Sequence, residues 1–259
     1  MPDTLFLEER RRAILNQLDQ QGRVTVKELS KDLQVSAVTI RQDLRALETR
    51  GLLERTYGGA VARIEKAPLQ ELSFTVRQSK RGDQKTVIAQ AAAALVEDGY
   101  SIALDSSTTV FALASFLKQY ENLTIVTNSL ILAQSFLDHP TTQVLLPGGR
   151  LRRDSVSLVG QPESLPTVNL NIGFFSARGI AEDIGASEID PDEVIVKRAM
   201  FNRCVRAVLL VDSSKWGQVA PYTLIPPEKV THIISTDQAA LDLVQHYRNL
   251  GAQVDLLTV

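Results

Sequence analysis

The 259-residue sequence holds one cysteine, one tryptophan, three histidines and only 5% aromatic residues. A lone Cys204 excludes an internal disulfide framework and fits a reducing compartment, and no role is assigned to it. His139, His232 and His246 are scattered, so no metal cluster is recognisable, and none stands near a loop where general acid–base chemistry would need it. Neither a metal nor a cofactor is expected. No segment approaches the roughly 18 apolar residues of a membrane span, and "MPDTLFLEERRRAIL" lacks the apolar centre of an export signal. The expectation is a cytoplasmic protein that does not contact membranes. Charge of one sign is also lacking: the formal net is -2, which argues against a uniformly basic coat for nucleic acid. The balance is nevertheless uneven, because residues 1–63 carry 11 Lys+Arg against 9 Asp+Glu.

What is present is 44% hydrophobic residues, enough for a sizeable core in one large domain or two smaller ones. "LEERRRAILNQLDQQG" sets Leu7, Ile14 and Leu18 on one side, clusters Arg10, Arg11 and Arg12, and ends at Gly22, which predicts a short amphipathic helix. "RVTVKELSKDL" predicts a brief extended stretch at Val24 and Val26, then a second helix carrying Leu29 and Leu33. A third helix opens at Ser36, a good N-cap, and stops at Gly51. Two short helices about a tight turn, the second basic, predict a helix-turn-helix.

At 100° per residue, Ile40, Leu44 and Leu47 of the third helix share a narrow stripe. Val38, Gln42, Arg45 and Thr49 lie opposite, with Arg41 at the edge. Gln pairs with adenine, Arg with guanine, and Val suits a thymine methyl, so the outer face has the chemistry of major-groove readout. A plain solvated face would look the same by charge alone. The next stretch, "LLERTYGGAVARI", adds a specific feature: apolar runs flank Tyr57-Gly58-Gly59, whose glycines permit the positive φ angles of a tight hairpin, with Arg55 and Arg63 at its base. A hairpin after a recognition helix is a wing, able to bring Arg55 and Tyr57 to a backbone or minor-groove edge.

"SAVTIRQDLRALETRGLLERTYGGA" resembles the DNA-binding module of the DeoR family of bacterial transcriptional regulators, which has a Ser-x-x-Thr-Ile-Arg-x-Asp-Leu core and a Gly-Gly-Ala wing. Ser36, Thr39, Ile40, Arg41, Asp43, Leu44, Gly58, Gly59 and Ala60 match it, while Tyr57 stands where the family usually has His. The resemblance implies a winged module on a double-stranded DNA operator. The residues expected at the DNA are Ser36, Val38, Thr39, Arg41, Gln42, Arg45, Arg55, Tyr57, Gly58 and Gly59.

"ARIEKAPLQELSFTVRQSKRGDQK" has mixed polarity with Pro68 and Gly82, and reads as a linker. Beyond it, the apolar runs "YSIAL", "LTIVT", "TQVLL", "LNIGFF", "RAVLLV", "THIIS" and "AQVDLLTV" alternate with helical stretches, without an internal repeat. This predicts an α/β fold with a Rossmann-like, mainly parallel sheet covered by helices. The expected organisation is a DNA-binding domain at 1–63, a linker at 64–80 and an effector domain at 81–259.

In an open parallel sheet the strand carboxyl ends face one side, so the polar groups that follow them share a crevice. Here those groups are Asp105 with Ser106, Ser107, Thr108 and Thr109; Thr127, Asn128 and Ser129; Gly148 and Gly149; Ser176 and Arg178; and Asp212 with Ser213, Ser214 and Lys215. One helix cap needs one hydroxyl, whereas the run Ser106–Thr109 has enough to surround an anion at the positive end of a helix. Both readings of that run stand. The whole inventory suits a phosphorylated polyol: donors and a cation for phosphate, carboxylates and an amide for hydroxyls. Gly148 and Gly149 taken singly fit ordinary turn chemistry.

This region resembles the sugar-phosphate-binding domain of the same family, itself related to ribose-5-phosphate isomerase and glucosamine-6-phosphate deaminase. The family's Asp-Ser-Gly-Thr-Thr loop corresponds to Asp105–Thr109, its Thr-Asn-Ser to Thr127–Ser129, and its Pro-Gly-Gly to Pro147–Gly149. Glu193 and Lys197 match its Glu-x-x-x-Lys-Arg-Ala helix, and "DSSKWG", with Asp212 and Lys215, its closing Asp-x-Ser-Lys. The resemblance implies a phosphorylated sugar or related metabolite as effector. Two departures stand out. Ser107 replaces a glycine, and Arg178 and Ala181 replace two carboxylates. Arg178 either favours an additional phosphate or acid group on the ligand or pairs with a neighbouring acid such as Asp212.

The combined expectation is a repressor of a carbohydrate-metabolism operon, a homodimer or homotetramer, whose operator affinity follows the effector. An isomerase- or deaminase-like enzyme with an appended DNA module, and a ligand-independent DNA binder, are the alternatives.

Overall fold

The computed structural model describes residues 7–49, 52–61 and 74–259. Gly51 as a helix stop, Arg63 at the wing base and residues 64–73 of the expected linker lie outside the described residues. The chain divides into two compact units, Met1–Gly82 and Asp83–Val259.

In the first unit α1 (Leu7–Gln21), β1 (Arg23–Thr25), α2 (Val26–Asp32) and α3 (Ala37–Thr49) precede a hairpin, β2 (Glu54–Thr56) and β3 (Gly59–Val61), and a short α4 (Phe74–Ser79). α2 begins where Thr25 and Glu28 cap each other: the Thr25 hydroxyl accepts from Glu28 N at 3.2 Å, and Glu28 accepts from Thr25 N at 3.3 Å. Ser36 caps α3 by accepting from Thr39 N at 3.1 Å. Ile14, Leu18, Leu29, Ile40, Leu44 and Leu47 close the core beneath these helices, joined by Val76 of α4. β3 is the middle strand, antiparallel to both β1 and β2.

The wing differs from expectation in one detail. Thr56 pairs with Gly59, so the turn is Tyr57-Gly58, and of the two glycines only Gly58 takes a positive φ, +96°. Gly59 is glycine because a Cβ there would stand 2.0 Å from the Val24 carbonyl oxygen. It serves close strand approach, not turn conformation.

The second unit runs α5 (Gly82–Ala93), β4 (Ser101–Leu104), α6 (Thr108–Leu117), β5 (Thr124–Thr127), α7 (Leu130–Gln134), β6 (Gln143–Leu145), β7 (Arg150–Arg152), β8 (Ser157–Val159) and β9 (Leu170–Phe175). It continues with β10 (Gly179–Ala181), β11 (Gly185–Glu188), α8 (Pro191–Phe201), β12 (Cys204–Leu210), β13 (Tyr222–Ile225), β14 (His232–Thr236), α9 (Leu241–Asn249) and β15 (Gln253–Leu257). The seven apolar runs of the sequence build one sheet, ordered β15-β14-β12-β9-β4-β5-β6, with every neighbouring pair parallel.

Successive strand residues point to opposite faces. Ile102, Leu104, Ile172, Phe174, Val208 and Leu210 pack with residues of α5, α6 and α7. Ala103, Phe175, Leu209 and Val211 pack with those of α8 and α9. Both faces are therefore covered, which is why the strands read as nearly continuous apolar runs. A three-stranded antiparallel sheet, β10-β11-β13, and the separate hairpin β7–β8 complete the unit. Because the main sheet is parallel, β12, β9, β4 and β5 end side by side on one edge, and the site is built there.

Candidate functional site

The first unit presents one helix face outward. Val38 is 60% exposed, and Arg41, Gln42 and Arg45 are exposed with it, while Ile40, Leu44 and Leu47 are buried. Ser36 and Thr39, both expected at the DNA, also face each other with hydroxyls 2.9 Å apart at the α3 cap. Arg55 is tied to α3: its N–H donates to Glu48 Oε1 at 3.2 Å and its guanidinium lies 3.7 Å from Glu48 Oε2. Tyr57 and Gly58 are exposed at the wing tip, and Gly59 is buried. A feature the sequence reading left without a role is Asp43, only 1% exposed on the inner side of α3. It accepts from Arg10 Nε at 2.6 Å and Arg11 Nε at 3.0 Å, which fixes α3 against α1.

The second unit places Asp105 just beyond β4 and Ser176 just beyond its neighbour β9. Asp105 Oδ1 accepts from Ser107 N at 2.9 Å and Oδ2 from Ser176 N at 2.8 Å. Lys197, from α8, meets Asp105 Oδ2 at 3.0 Å, Glu188 Oε1 at 2.6 Å and Ser176 O at 3.2 Å. The ammonium donates hydrogen bonds to Glu188 and Ser176 and forms an ion pair with Asp105. Burial pushes the Lys197 pKa down, but Asp105, Glu188 and Glu193 outweigh it and hold it above the ordinary lysine value. Four residues above Lys197 on α8, Glu193 Oε1 accepts from Ser157 Oγ at 3.1 Å and lies 3.4 Å from both Ser106 Oγ and Arg152.

The hydroxyl run divides its tasks. Ser107 is the α6 cap, accepting from Val110 N at 3.2 Å, so the residue that replaces the family's glycine has a local job. Ser106 turns to Glu193. Thr108 and Thr109 are buried in the first turn of α6, and among the described residues their hydroxyls have no hydrogen-bond partner. Thr127 accepts from Ser129 N at 3.1 Å and Ser129 caps α7 through Leu132 N at 3.2 Å. Asn128 is fully buried; its Nδ2 donates to Leu158 O at 3.3 Å, and its Oδ1 is left without a partner.

The remaining candidates are less central. Gly148 and Gly149 are exposed; Gly149 has φ +149°, and a Cβ there would stand 2.3 Å from Val159 O, so it serves packing on β8. Arg178 is half-buried, its N–H donating to Ser187 O at 2.9 Å beside Glu188. Asp212 accepts from Ser214 N at 3.0 Å and from the Ser214 hydroxyl. Burial pushes its pKa up, but Lys215, Ser214 and Lys85 together hold it below the usual carboxylate range. The turn bearing Lys215 is joined to β10 and β11 by Gly217 N to Ile180 O at 2.8 Å and Ala220 N to Ser187 Oγ at 2.9 Å.

Several participants went unread in the sequence: Arg152, Ser155 and Ser157 of the β7–β8 hairpin, Glu188, Asp190, Gln84 and Lys85. Gln84 Oε1 accepts from Ser213 N and Oγ at 3.0 and 3.1 Å. The Ser-x-Ser of "RRDSVSLVG" was the one local signal. The histidines lie elsewhere, His139 on Thr142, His232 on Asp255 and His246 on Glu182. Burial pushes the Cys204 thiol up to about 12. Among the described residues no group of three His, Cys, Asp or Glu could hold a metal ion, and no helix is long and apolar enough to cross a membrane.

The DeoR C terminal sensor domain matches residues 80–238, and the DeoR-like helix-turn-helix domain matches residues 10–66. Over 254 residues the chain is 32% identical to the HTH-type transcriptional regulator GolR of Listeria innocua, covering 97% of this chain and 99% of that one. Over 209 residues it is 34% identical to the lactose phosphotransferase system repressor of Lactococcus lactis, covering 79% and 81%. These relatives are transcriptional regulators, not enzymes. A ribose 5-phosphate isomerase from Methanocaldococcus jannaschii aligns with 53% of this chain and 55% of its own at a TM-score of 0.39 and 17% identity, too distant to bear on function.

Proposed function

The chain belongs to the DeoR family of DNA-binding transcriptional regulators, and we propose that it represses a carbohydrate-metabolism operon under the control of a phosphorylated sugar or related metabolite. The operator is read by Val38, Arg41, Gln42 and Arg45 of α3, with Arg55 and Tyr57 on the backbone. The effector lies at the carboxyl edge of the parallel sheet. The observation that carries this reading is the α6 N-terminus. Ser107 alone satisfies the cap, which leaves Thr108 and Thr109 and the first helical N–H groups as donors for a phosphate. Asn128 Oδ1, buried without a partner, and the carboxylates of Glu193 and Glu188 supply acceptors for hydroxyls nearby. A buried polar atom left unpaired is costly, so a ligand hydroxyl at Asn128 stabilises the folded unit.

A symmetric homo-oligomer matches a two-fold operator, and ligand and DNA influence each other only if the ligand favours one conformation. The test is a thermal-shift panel of phosphorylated sugars, each beside its unphosphorylated parent. A phosphorylated compound should raise the apparent stability while its parent does not, and should change operator affinity. If none binds and operator affinity is indifferent to all, the reading gives way to ligand-independent DNA binding.

A further inference from the structure

The β7–β8 hairpin belongs to neither larger sheet. Polar contacts tie it to residues assigned above to the effector. On one side Ser157 Oγ donates to Glu193 Oε1 at 3.1 Å, and Arg152 lies 3.4 Å from the same oxygen and 3.0 Å from Asp190 Oδ2. Arg152 also donates to Ser155 Oγ at 3.0 Å, and the Ser155 and Ser157 hydroxyls are 2.7 Å apart. On the other side Leu158 N donates to Asn128 O at 2.8 Å, Asn128 Nδ2 to Leu158 O at 3.3 Å, and Leu130 N to Val156 O at 3.0 Å. Glu193 and Asn128 are thus the fasteners of the hairpin.

Two features make this attachment competitive. Glu193 Oε1 already receives Ser106, Ser157 and Arg152, more donors than one carboxylate oxygen has lone pairs. A ligand hydroxyl that bonds to this oxygen competes with them. The hairpin turn also stores strain: Val156, β-branched, sits at φ +50°, a left-handed conformation that such residues avoid. Attachment to Glu193, Asp190 and Asn128 opposes that strain.

Resting on the effector reading above, we propose that the β7–β8 hairpin is a clasp that the effector opens, that Arg152 is its latch, and that the closed clasp accompanies high operator affinity. Effector and hairpin then exchange places on Glu193, and occupancy of the site becomes a change in the conformation of an element of this unit.

The test uses the full chain without any effector. Arg152→Gln, and the milder Ser157→Ala, should speed amide exchange of residues 150–159 and weaken operator binding at least about fivefold, the lower end of ordinary coupling between sites. Asparagine tolerates left-handed φ, so Val156→Asn added to either variant should restore both exchange protection and affinity. If Arg152→Gln does not fold, as judged by circular dichroism, Ser157→Ala decides alone. Faster exchange with operator affinity unchanged overturns the proposal, as does restored protection without restored affinity. Exchange unchanged in both variants also overturns it, because the latch would then hold nothing. A negative sugar-phosphate panel beside intact clasp effects would count against the effector reading and leave the link between clasp and operator standing.

Discussion

Lys197 and Asp105 meet at 3.0 Å beyond the ends of β4 and β9, with side chains 2% and 0% exposed. Removing one partner of such a pair leaves an uncompensated buried charge. Lys197→Met should therefore destabilise the second unit by about 3–5 kcal/mol. Urea unfolding of the variant against wild type measures it. Because Lys197 ties Asp105, Glu188 and Ser176 together, it organises the site, and a loss of effector affinity in this variant should accompany the loss of stability. Lysine at this position has a raised pKa, so its contribution is complete below the unfolded value of about 10.4 and is lost only as pH climbs through the higher folded value. Unfolding measured between neutral pH and pH 10 should show no loss from this group.

Asp43 holds Arg10 and Arg11 at 2.6 and 3.0 Å, and all three side chains are largely buried. Asp43→Ala removes the buried carboxylate that both arginines share, at a cost of about 3–5 kcal/mol. Specific operator binding should fall with it, although Asp43 faces away from the reading surface. Amide exchange should show lost protection in α1 and α3 with the second unit unchanged. Wild-type protection in α1 and α3 would refute the clamp.

The two wing glycines should respond differently. Gly58→Ala meets open space but needs a left-handed residue, a penalty of roughly 1–2 kcal/mol. Gly59→Ala drives a Cβ into the Val24 carbonyl, so β1 and β3 must separate. Thermal unfolding should rank Gly59→Ala as the more damaging, and Gly58→Asn should cost less than Gly58→Ala.

On DNA, Gln42→Ala and Arg45→Ala should each relax discrimination at one base step by about 1–3 kcal/mol. Arg55→Ala should weaken operator and scrambled duplexes alike and reduce the salt slope. Its pairing with Glu48 makes the loss smaller than for an unengaged arginine. Titrations at several salt concentrations separate the two behaviours, and unchanged discrimination in both helix variants would remove α3 as the reader.

The sequence revealed the parts whose physics is local. Strands buried on both faces must be apolar along their length, so all seven members of the parallel sheet were visible, as was the stripe of Ile40, Leu44 and Leu47. Short strands at the periphery carry no such run: "RLR", "GIA" and "GASE" are β7, β10 and β11, and they are defined by their partners. The site divides the same way. Asp105, Ser106, Glu193 and Lys197 lie in motifs, whereas Arg152, Ser157 and Glu188 reach the cluster through tertiary pairing that spacing does not encode. Gly59 is a further instance, since Val24 lies 35 residues earlier in the chain.

Asp212 supplies a pH signature on the acid side. Its folded pKa is depressed, because Lys215, Ser214 and Lys85 favour the carboxylate more than burial opposes it. A carboxylate of this kind contributes stability above its unfolded value of about 3.9, and that contribution disappears as pH falls through the lower folded value. Wild-type unfolding free energy should therefore drop as pH falls below about 4 partly on account of this group, and Asp212→Asn should show a shallower slope there. The variant should also lose stability at pH 7, because Lys215 and Lys85 lose the Asp212 charge. If the acid slopes of wild type and variant coincide, the depression of Asp212 is absent in solution, and the polar turn at residues 212–215 does not hold its charge as the geometry requires.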